Sequence, residues 1–372
     1  MPGYWLLLLL FALLFSLSFY FGLREWLWPR DDAPIPVDVE YVRQENYLGL
    51  SFRARVEEGL KTARPATTIH AGNSPLRTLL EQPDGESLLV LKEGQLDGDR
   101  VCEEVVYCEG DLRLADGAVL EKEIYCRGNF RSGAGVQLQA VAADGDLELG
   151  VENRVADWVD SPQKVRLCRG TVVHNRVTSS ESIELESGVL ALSLYAPLIF
   201  TSGYHPGIRF EAETVSRNPT HPRAAGEGNP ARPLPSFLEG VQCSRLAEDT
   251  WLVQGELSLP EASRVETKLV VQGKLTTGAD CTFAADVKAA EVKLGPRNRV
   301  LGNLVSEGVV AIGESCFVAK NIVAEKDVLL GSGVRVGFPE ALAAVSAGGE
   351  IRMQPNAVVC GKLAAARMVI TL

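Results

Sequence analysis

The segment VKLGPRNRV at residues 292–300 is followed one repeat later by VAIGESCFV at residues 310–318. Both segments have apolar residues at their first, third and ninth positions, and a fourth apolar residue lies twelve positions after each start. This spacing describes 44 positions in the chain, of which only Ser132, Thr277 and Glu340 are polar. The repeat therefore dominates the sequence. It begins at eleven places: Leu112, Phe130, Leu147, Val165, Ile183, Leu257, Leu275, Val292, Val310, Val328 and Ile351.

The residue after each start tests whether the repeat is built from strands. Side chains alternate along a strand, so this residue should face solvent. It is polar in nine of the eleven repeats. Glycine and asparagine at the corners, as in Gly128-Asn129 and Gly302-Asn303, permit tight turns. The sequence predicts an all-β fold: a parallel β-helix, right-handed, with three short strands in each coil of about 17–18 residues.

The first residues have the properties of a membrane anchor. No charged residue occurs between Tyr4 and Leu23, and twenty helical residues span about 30 Å, the thickness of a hydrocarbon core. Tyr4 and Trp5 precede this stretch, and Trp26 and Trp28 follow it, as interfacial aromatic residues do. We expect an N-terminal transmembrane α-helix. A cleaved signal peptide is the alternative, but it should show a basic residue before the apolar run and a small-residue cleavage site after it.

Composition shifts divide the chain into five segments. Phe52, Val56 and Leu60 recur at helical spacing and suggest a short helix over the first coil. Six prolines interrupt the repeat between Thr201 and Glu256, which indicates a loop or linker. The predicted segments are a transmembrane anchor at 1–28, a spacer with the cap helix at 29–93, a first β-helical block at 94–200, a proline-rich insertion at 201–256 and a second block at 257–372.

Residues that could carry chemistry are few. The net charge of −11 argues against a nucleic-acid partner, which would need clustered basic residues. His174 follows an inward position and should face solvent, where it is a poor general base. Cys108 and Cys126 lie one coil apart and should stack as packed thiols, and Asp144 lacks enough neighbouring oxygens for calcium. We expect no catalytic residues, no metal, no cofactor and no small-molecule substrate.

The last residues suggest a surface for self-association. An open end of a β-helix exposes unpaired backbone groups and invites another chain. Val369, Ile370 and Leu372 form an apolar terminus that could make or cover such a surface. Completion of the last coil explains the same residues, and the sequence does not decide between the two.

Two families share features of this repeat. VAIGESCFV at residues 310–318, followed by KNIVAE at residues 320–325, resembles the bactofilin family, whose coils read approximately V-x-I-G-x-x-A-x-V-x-G-x-I-x-A. IGESCF at residues 312–317 also fits the hexapeptide pattern of left-handed β-helix acyltransferases. Those enzymes keep strict multiples of six, whereas the coil from Leu275 to Val292 does not, and they need a histidine base in a cleft between coils.

The bactofilin resemblance implies a bacterial cytoskeletal scaffold without enzymatic activity that polymerises and attaches to the inner membrane. Its partners would be further copies of itself, the lipid bilayer and other envelope or cell-shape proteins. Arg24, Arg30 and Arg43 follow the predicted anchor and place the bulk of the chain in the cytoplasm by the positive-inside rule. An envelope-assembly factor with its β-helix outside the cytoplasm is a third interpretation.

Overall fold

A computed structural model describes residues 44–69, 77–81, 85–96, 101–204, 238, 240–247 and 249–372. Strands account for 54% of the described residues and helix for 6%, so the predicted all-β class is confirmed. The strands form a β-solenoid of about 14 turns, which lies within one compact unit, Leu48–Leu372. The predicted anchor and the first part of the spacer, residues 1–43, and most of the proline-rich insertion, residues 205–237, lie outside the described residues.

The first half of the described chain contains one helix and nineteen strands. They are α1 (Tyr47–Thr62), β1 (Arg64–Ile69), β2 (Arg77–Glu81), β3 (Ser87–Leu91), β4 (Gly94–Leu96), β5 (Val101–Cys102), β6 (Val105–Cys108), β7 (Leu112–Leu114), β8 (Val119–Leu120), β9 (Ile124–Cys126), β10 (Phe130–Ser132), β11 (Gln137–Leu138), β12 (Val141–Ala143), β13 (Leu147–Leu149), β14 (Arg154–Val155), β15 (Val159–Ser161), β16 (Lys164–Leu167), β17 (Val172–Ser179), β18 (Ser182–Leu185) and β19 (Leu190–Thr201).

The second half contains seventeen strands. They are β20 (Cys243–Ala247), β21 (Thr250–Val253), β22 (Leu257–Leu259), β23 (Arg264–Val265), β24 (Lys268–Thr277), β25 (Thr282–Phe283), β26 (Val287–Leu294), β27 (Arg299–Val300), β28 (Leu304–Ser306), β29 (Val310–Ile312), β30 (Phe317–Val318), β31 (Ile322–Ala324), β32 (Val328–Leu330), β33 (Arg335–Val336), β34 (Ala343–Ala347), β35 (Glu350–Met353) and β36 (Val358–Thr371).

Each coil contributes one strand to each of three parallel faces. In one coil these are β9 on the first face, β10 on the second and β11 on the third, and each pairs with the strand one coil away. The second face follows the predicted register, since Phe130 pairs with Leu112 and Leu147, and Val310 pairs with Val292 and Val328. On this face the repeat spacing therefore identified the stacking partners correctly.

The solenoid consists of two blocks that each begin one strand earlier than the sequence predicts. Block 1 (residues 87–204) starts with β3 at Ser87, and block 2 (residues 250–372) starts with β21 at Thr250. The predicted boundaries, 94 and 257, coincide with β4 and β22 on the second face. The repeat spacing starts on that face, whereas each block opens with a strand of the first face, β3 or β21.

Apolar side chains fill the lumen of both blocks. Leu147, Val165, Val310 and Val328 are at most 1% exposed, and the inward cluster extends from Leu89 to Val369. Burial of aliphatic surface at about 25 cal/mol per Å² is the main stabilising contribution to such a stack. Each coil depends on its neighbours, because a single coil cannot bury its own faces.

Two of the three polar exceptions in the repeat bind a buried asparagine. Asn153 donates to the Ser132 hydroxyl and accepts from the Val136 amide at 2.7 Å. Asn298 in block 2 donates to Thr277 Oγ1 at 2.5 Å. Each asparagine follows a coil that is one residue shorter than the usual 18. Both asparagine side chains are fully buried. They therefore provide hydrogen bonds to the backbone and hydroxyl groups at the corner of the shorter coil.

The third exception, Glu340, marks an insertion. Val310 pairs with Val328, but Val328 pairs with Ile351, so this coil is five residues longer than the one before it. Phe338 and Ala341 form a small bridge in the extra segment, which leaves Glu340 exposed, and Val345 fills the inward position instead. The extra residues therefore form an insertion at this corner of the coil.

Helix α1 lies along the side of block 1. Its buried residues pack against outward side chains of the first face, which include Leu88, Tyr107, Tyr125 and Trp158. Its 16 residues span about 24 Å, close to five coils spaced about 4.8 Å apart. The sequence placed this helix over the first coil, but there the antiparallel strands β1 and β2 extend the first face beyond β3.

Candidate interaction site

The two blocks meet where their last coils pair with each other. β19 of block 1 and β36 of block 2 run antiparallel, with Leu190 opposite Ile370, Leu194 opposite Leu363 and Ile199 opposite Val359. The pairings between neighbouring coils within a block are all parallel among the described strands. The blocks are therefore joined end to end through their last coils, and the chain runs in opposite directions in the two paired coils. We call this contact between β19 and β36 the junction.

The junction continues the dry lumen from one block into the other. Ala191, Leu194 and Ile199 on one side, and Leu363 and Val369 on the other, are at most 1% exposed. Neither block closes its last coil with a polar cap, although an open strand edge normally needs covering. Each block thus serves as the cap of the other.

Two equivalent threonines complete this reciprocal cap. Thr371 of block 2 accepts from the Val189 amide at 2.9 Å and donates to the Glu186 carbonyl at 2.5 Å. Thr201 of block 1 accepts from the Ala357 amide at 3.0 Å and donates to a carbonyl of block 2. Both threonines end the second-face strand of their last coil, so the corner of each block is sealed by the other.

The outer ends of the solenoid are the first coils of the two blocks. Within the described residues, β4 and β5 of block 1 and β22 and β23 of block 2 pair on one side only. Val101 on β5 is 52% exposed and Leu246 on β20 is 64% exposed. In block 2, the fully buried Leu238 packs against the end of the lumen.

The predicted assembly residues lie at the junction. Val369 is 1% exposed and pairs with Ala191, while Ile370 pairs with Leu190. Leu372 is 54% exposed at the edge of the same strand. Their backbone edge is therefore already occupied within the chain. The predicted anchor residues Tyr4, Trp5, Trp26 and Trp28 lie outside the described residues. None of the helices in the described part of the chain has the length and apolarity that a bilayer crossing requires.

Arg53, whose side chain is 13% exposed, fastens α1 to block 1. Arg53 donates from Nε to Asp144 Oδ1 at 2.8 Å and from a terminal nitrogen to Asp160, whose side chain is only 4% exposed. Thr178 also donates to Asp160. Burial alone would lower the pKa of Arg53, but the two facing carboxylates outweigh it and raise that pKa.

Asp144 also accepts from the Tyr125 hydroxyl at 2.8 Å. Burial, and then this hydrogen bond, raise the pKa of Tyr125 to about 12. The Arg53 guanidinium lies 5.9 Å from the centre of the Tyr125 ring. Asp144 therefore has a structural role in holding the helix, which no local pattern in the sequence indicated because its partner Arg53 is 91 residues away.

The candidate chemical groups of the sequence lie apart from one another. Cys108 and Cys126 stack in register and are fully buried, and the neighbouring Cys108 sulfur together with burial raises the pKa of Cys126. His174 is exposed, as predicted. In the residues that the structure describes, no group of three His, Cys, Asp or Glu side chains is arranged to bind a metal.

A cleft of about 530 Å³ lies at the corner beside the last coils of block 1. Its charged lining pairs internally, since Arg166 reaches Glu186 at 2.9 Å and Glu184 at 3.9 Å. The hydrogen bond with Glu186 raises the pKa of Arg166.

These features define a class of protein, a parallel β-solenoid built from two blocks that cap each other. Such a fold is compatible with a structural role. In comparisons with known proteins, the chain matches no protein-family model, no curated protein and no solved structure.

Proposed function

We propose that this protein is a non-enzymatic scaffold that associates with further copies of itself. The observation that carries the proposal is the junction, at which two coil ends of the same repeat already bind edge to edge through backbone pairing and a shared lumen. Coil ends of this sequence type are thus able to bind one another, and the two outer ends offer further edges of the same kind.

The shape of the solenoid supports this role. About 14 turns stacked about 4.8 Å apart give a length of about 65 Å. The lumen is filled by side chains such as Leu112, Val173 and Val300, all fully buried, and offers a ligand no room. Rigid length suits a structural element better than an enzyme, which needs a reactive group in a cleft. Among the described strands, β4, β5, β22 and β23 at the outer ends pair on one side only and leave an edge for another copy.

We further propose that residues 1–28 hold the scaffold at the bacterial inner membrane with its bulk in the cytoplasm, as the resemblance to bactofilins implies. Tyr4, Trp5, Trp26 and Trp28 would lie at the two interfaces of the bilayer. A reporter fused to the C-terminus tests the orientation. Alkaline phosphatase activity from such a fusion would contradict a cytoplasmic location.

Sedimentation and electron microscopy of the full chain in detergent test self-association. We expect elongated assemblies whose mass increases with concentration. The combined variant Val101→Lys, Leu246→Lys places charges at the two outer ends and should shift the mass to single chains. Val323→Lys is the matched control, because Val323 is a 41% exposed valine on the side of block 2. Single chains for the unmodified protein, or equal effects of both variants, would refute the proposal.

A further inference from the structure

The geometry points to a second way of making the junction: we propose that block 1 of one chain also pairs with block 2 of another copy. This inference deepens the proposed self-association by naming β19 and β36 as a surface that two copies exchange. Each of the two strands then pairs with the last coil of the opposite block, and that coil belongs either to the same chain or to another copy.

The first argument is where the described chain stops and resumes. Block 1 ends at Tyr204, whose amide bonds to the Thr201 carbonyl at the junction. The chain resumes at Leu238, at the outer end of block 2, seven coils and about 30 Å away. The intervening segment, residues 205–237, can reach about 110 Å when extended. Chain length therefore does not decide which copy of block 2 a given block 1 meets.

The second argument concerns free energy. A junction between two chains has the same backbone pairs, the same buried aliphatic side chains and the same threonine bonds as a junction within one chain. The two forms differ in whether the paired coils are joined by the same chain, and therefore in the loss of independent motion. A covalent connection gives two partners an effective concentration of at most the order of millimolar, so the exchanged form should increase in proportion to protein concentration below that range.

The third argument is the order of synthesis. β19 is complete at Thr201, but the strand that covers it, β36, is complete only at Thr371, after the whole of block 2 has been made. At about 5–20 amino acids per second, the apolar edge of block 1 waits roughly 10–30 s for its own partner. During that interval, a neighbouring copy on the same messenger RNA can offer its own finished block 2 to the uncovered edge of β19.

Two tagged copies of the full chain can report the exchange. One copy carries Ser193→Cys and the other Ala364→Cys, because these two half-buried residues lie opposite each other in the antiparallel pair. Opposed side chains of this kind are close enough for a disulfide after mild oxidation. A covalent pair of differently tagged chains in excess of the control then reports a junction between copies, because the native cysteines are the same in both.

The control copy carries Gln137→Cys, an exposed position far along block 1, in place of Ala364→Cys. A single chain carrying both Ser193→Cys and Ala364→Cys shows that the disulfide forms when the pair is present. We expect the mixed pair to exceed the Gln137→Cys control and to increase about tenfold for a tenfold rise in expression. A mixed pair at the control level at every concentration, with the double variant fully cross-linked, would overturn the inference. Assemblies seen by microscopy would then still stand, since they depend on the outer ends.

Discussion

The two blocks build the same coil but place different residues at the left-handed corner that lies five positions after each repeat start. Block 1 uses glycine at four of its five such corners, whereas block 2 uses glycine at only one of six. The corners of block 1 are Gly117, Gly135, Glu152, Gly170 and Gly188, and those of block 2 are Ala262, Asp280, Arg297, Ser315, Gly333 and Asn356.

This difference shows what determines the coil. A positive φ costs a residue with a side chain about 1–2 kcal/mol, yet block 2 adopts it five times. The corner conformation is therefore imposed by the stacked strands and the inward apolar residues, which both blocks share. The blocks also differ on the first face, where only block 1 carries a helix among the described residues.

The largest expected loss of stability comes from a variant at the junction, the contact on which both blocks depend. Val369→Lys places an ammonium group in a lumen where Val369 is 1% exposed, and a fully buried lysine costs roughly 4–7 kcal/mol. We expect both blocks to lose stability together in denaturant unfolding, because each loses its cap. Ala366→Lys, on an exposed residue of the same strand, is the control and should change little. Loss confined to block 2 would mean that block 1 does not need its partner.

A second variant should affect block 1 alone, because it removes a contact with the helix that only block 1 carries among the described residues. Arg53→Met leaves Asp160 buried without its cation, and breaking one partner of a buried pair costs about 3–5 kcal/mol. We expect faster hydrogen exchange in α1 and along the first face of block 1, with block 2 unchanged.

Arg55→Met is the matched control for this experiment. Arg55 lies on the same helix and pairs with Glu123 at 3.0 Å, but its side chain is 52% exposed. Exposed pairs contribute about 0–1 kcal/mol, so exchange in α1 should hardly change. Equal effects of the two variants would show that the Arg53 bonds do not hold the helix.

The repeat made the fold predictable because inward residues such as Leu112 and Val310 recur at a spacing that only stacked strands explain. The same reasoning did not reach the junction. The spacing from Ile183 points to Tyr195 instead of the buried Leu194, and the pattern does not say what the last coil meets. Arg53 was equally hidden, because its two carboxylate partners lie 91 and 107 residues away. Spacing describes neighbours one coil apart, whereas both of these contacts join distant parts of the chain.

Two polar exceptions in the repeat were visible in the sequence without an explanation, and they supply a test of equivalence between the blocks. Asn153→Ala leaves the Val136 amide without its acceptor, and Asn298→Ala does the same to the Cys281 amide. Ser132 and Thr277 each lose one donor but still accept from the amides of Gly150 and Gly295. Unsatisfied buried groups cost about 1–3 kcal/mol, so we expect a loss of about 2 kcal/mol from each change.

The double variant shows whether these two sites act independently. Because they lie in different blocks and share no partner, their effects on the free energy of unfolding should add. If Asn153→Ala lowered the free energy of unfolding much less than Asn298→Ala does, the two corners would not be equivalent. Denaturant unfolding of the single and double variants provides the measurement.

The smallest expected change in stability comes from exchanging glycine and alanine at one left-handed corner of each block. Gly135 and Ala262 are both exposed at left-handed corners, with φ of 66° and 58°, and a Cβ at Gly135 would meet nothing within 4 Å. Gly135→Ala should cost about 1 kcal/mol from backbone strain alone. Ala262→Gly removes the same strain but adds about 0.5–1 kcal/mol of chain entropy, so its net gain should be at most about 1 kcal/mol. Opposite signs in thermal unfolding would show that the stacked strands impose the corner on both blocks. Equal signs would mean that block 2 holds its corner by another conformation.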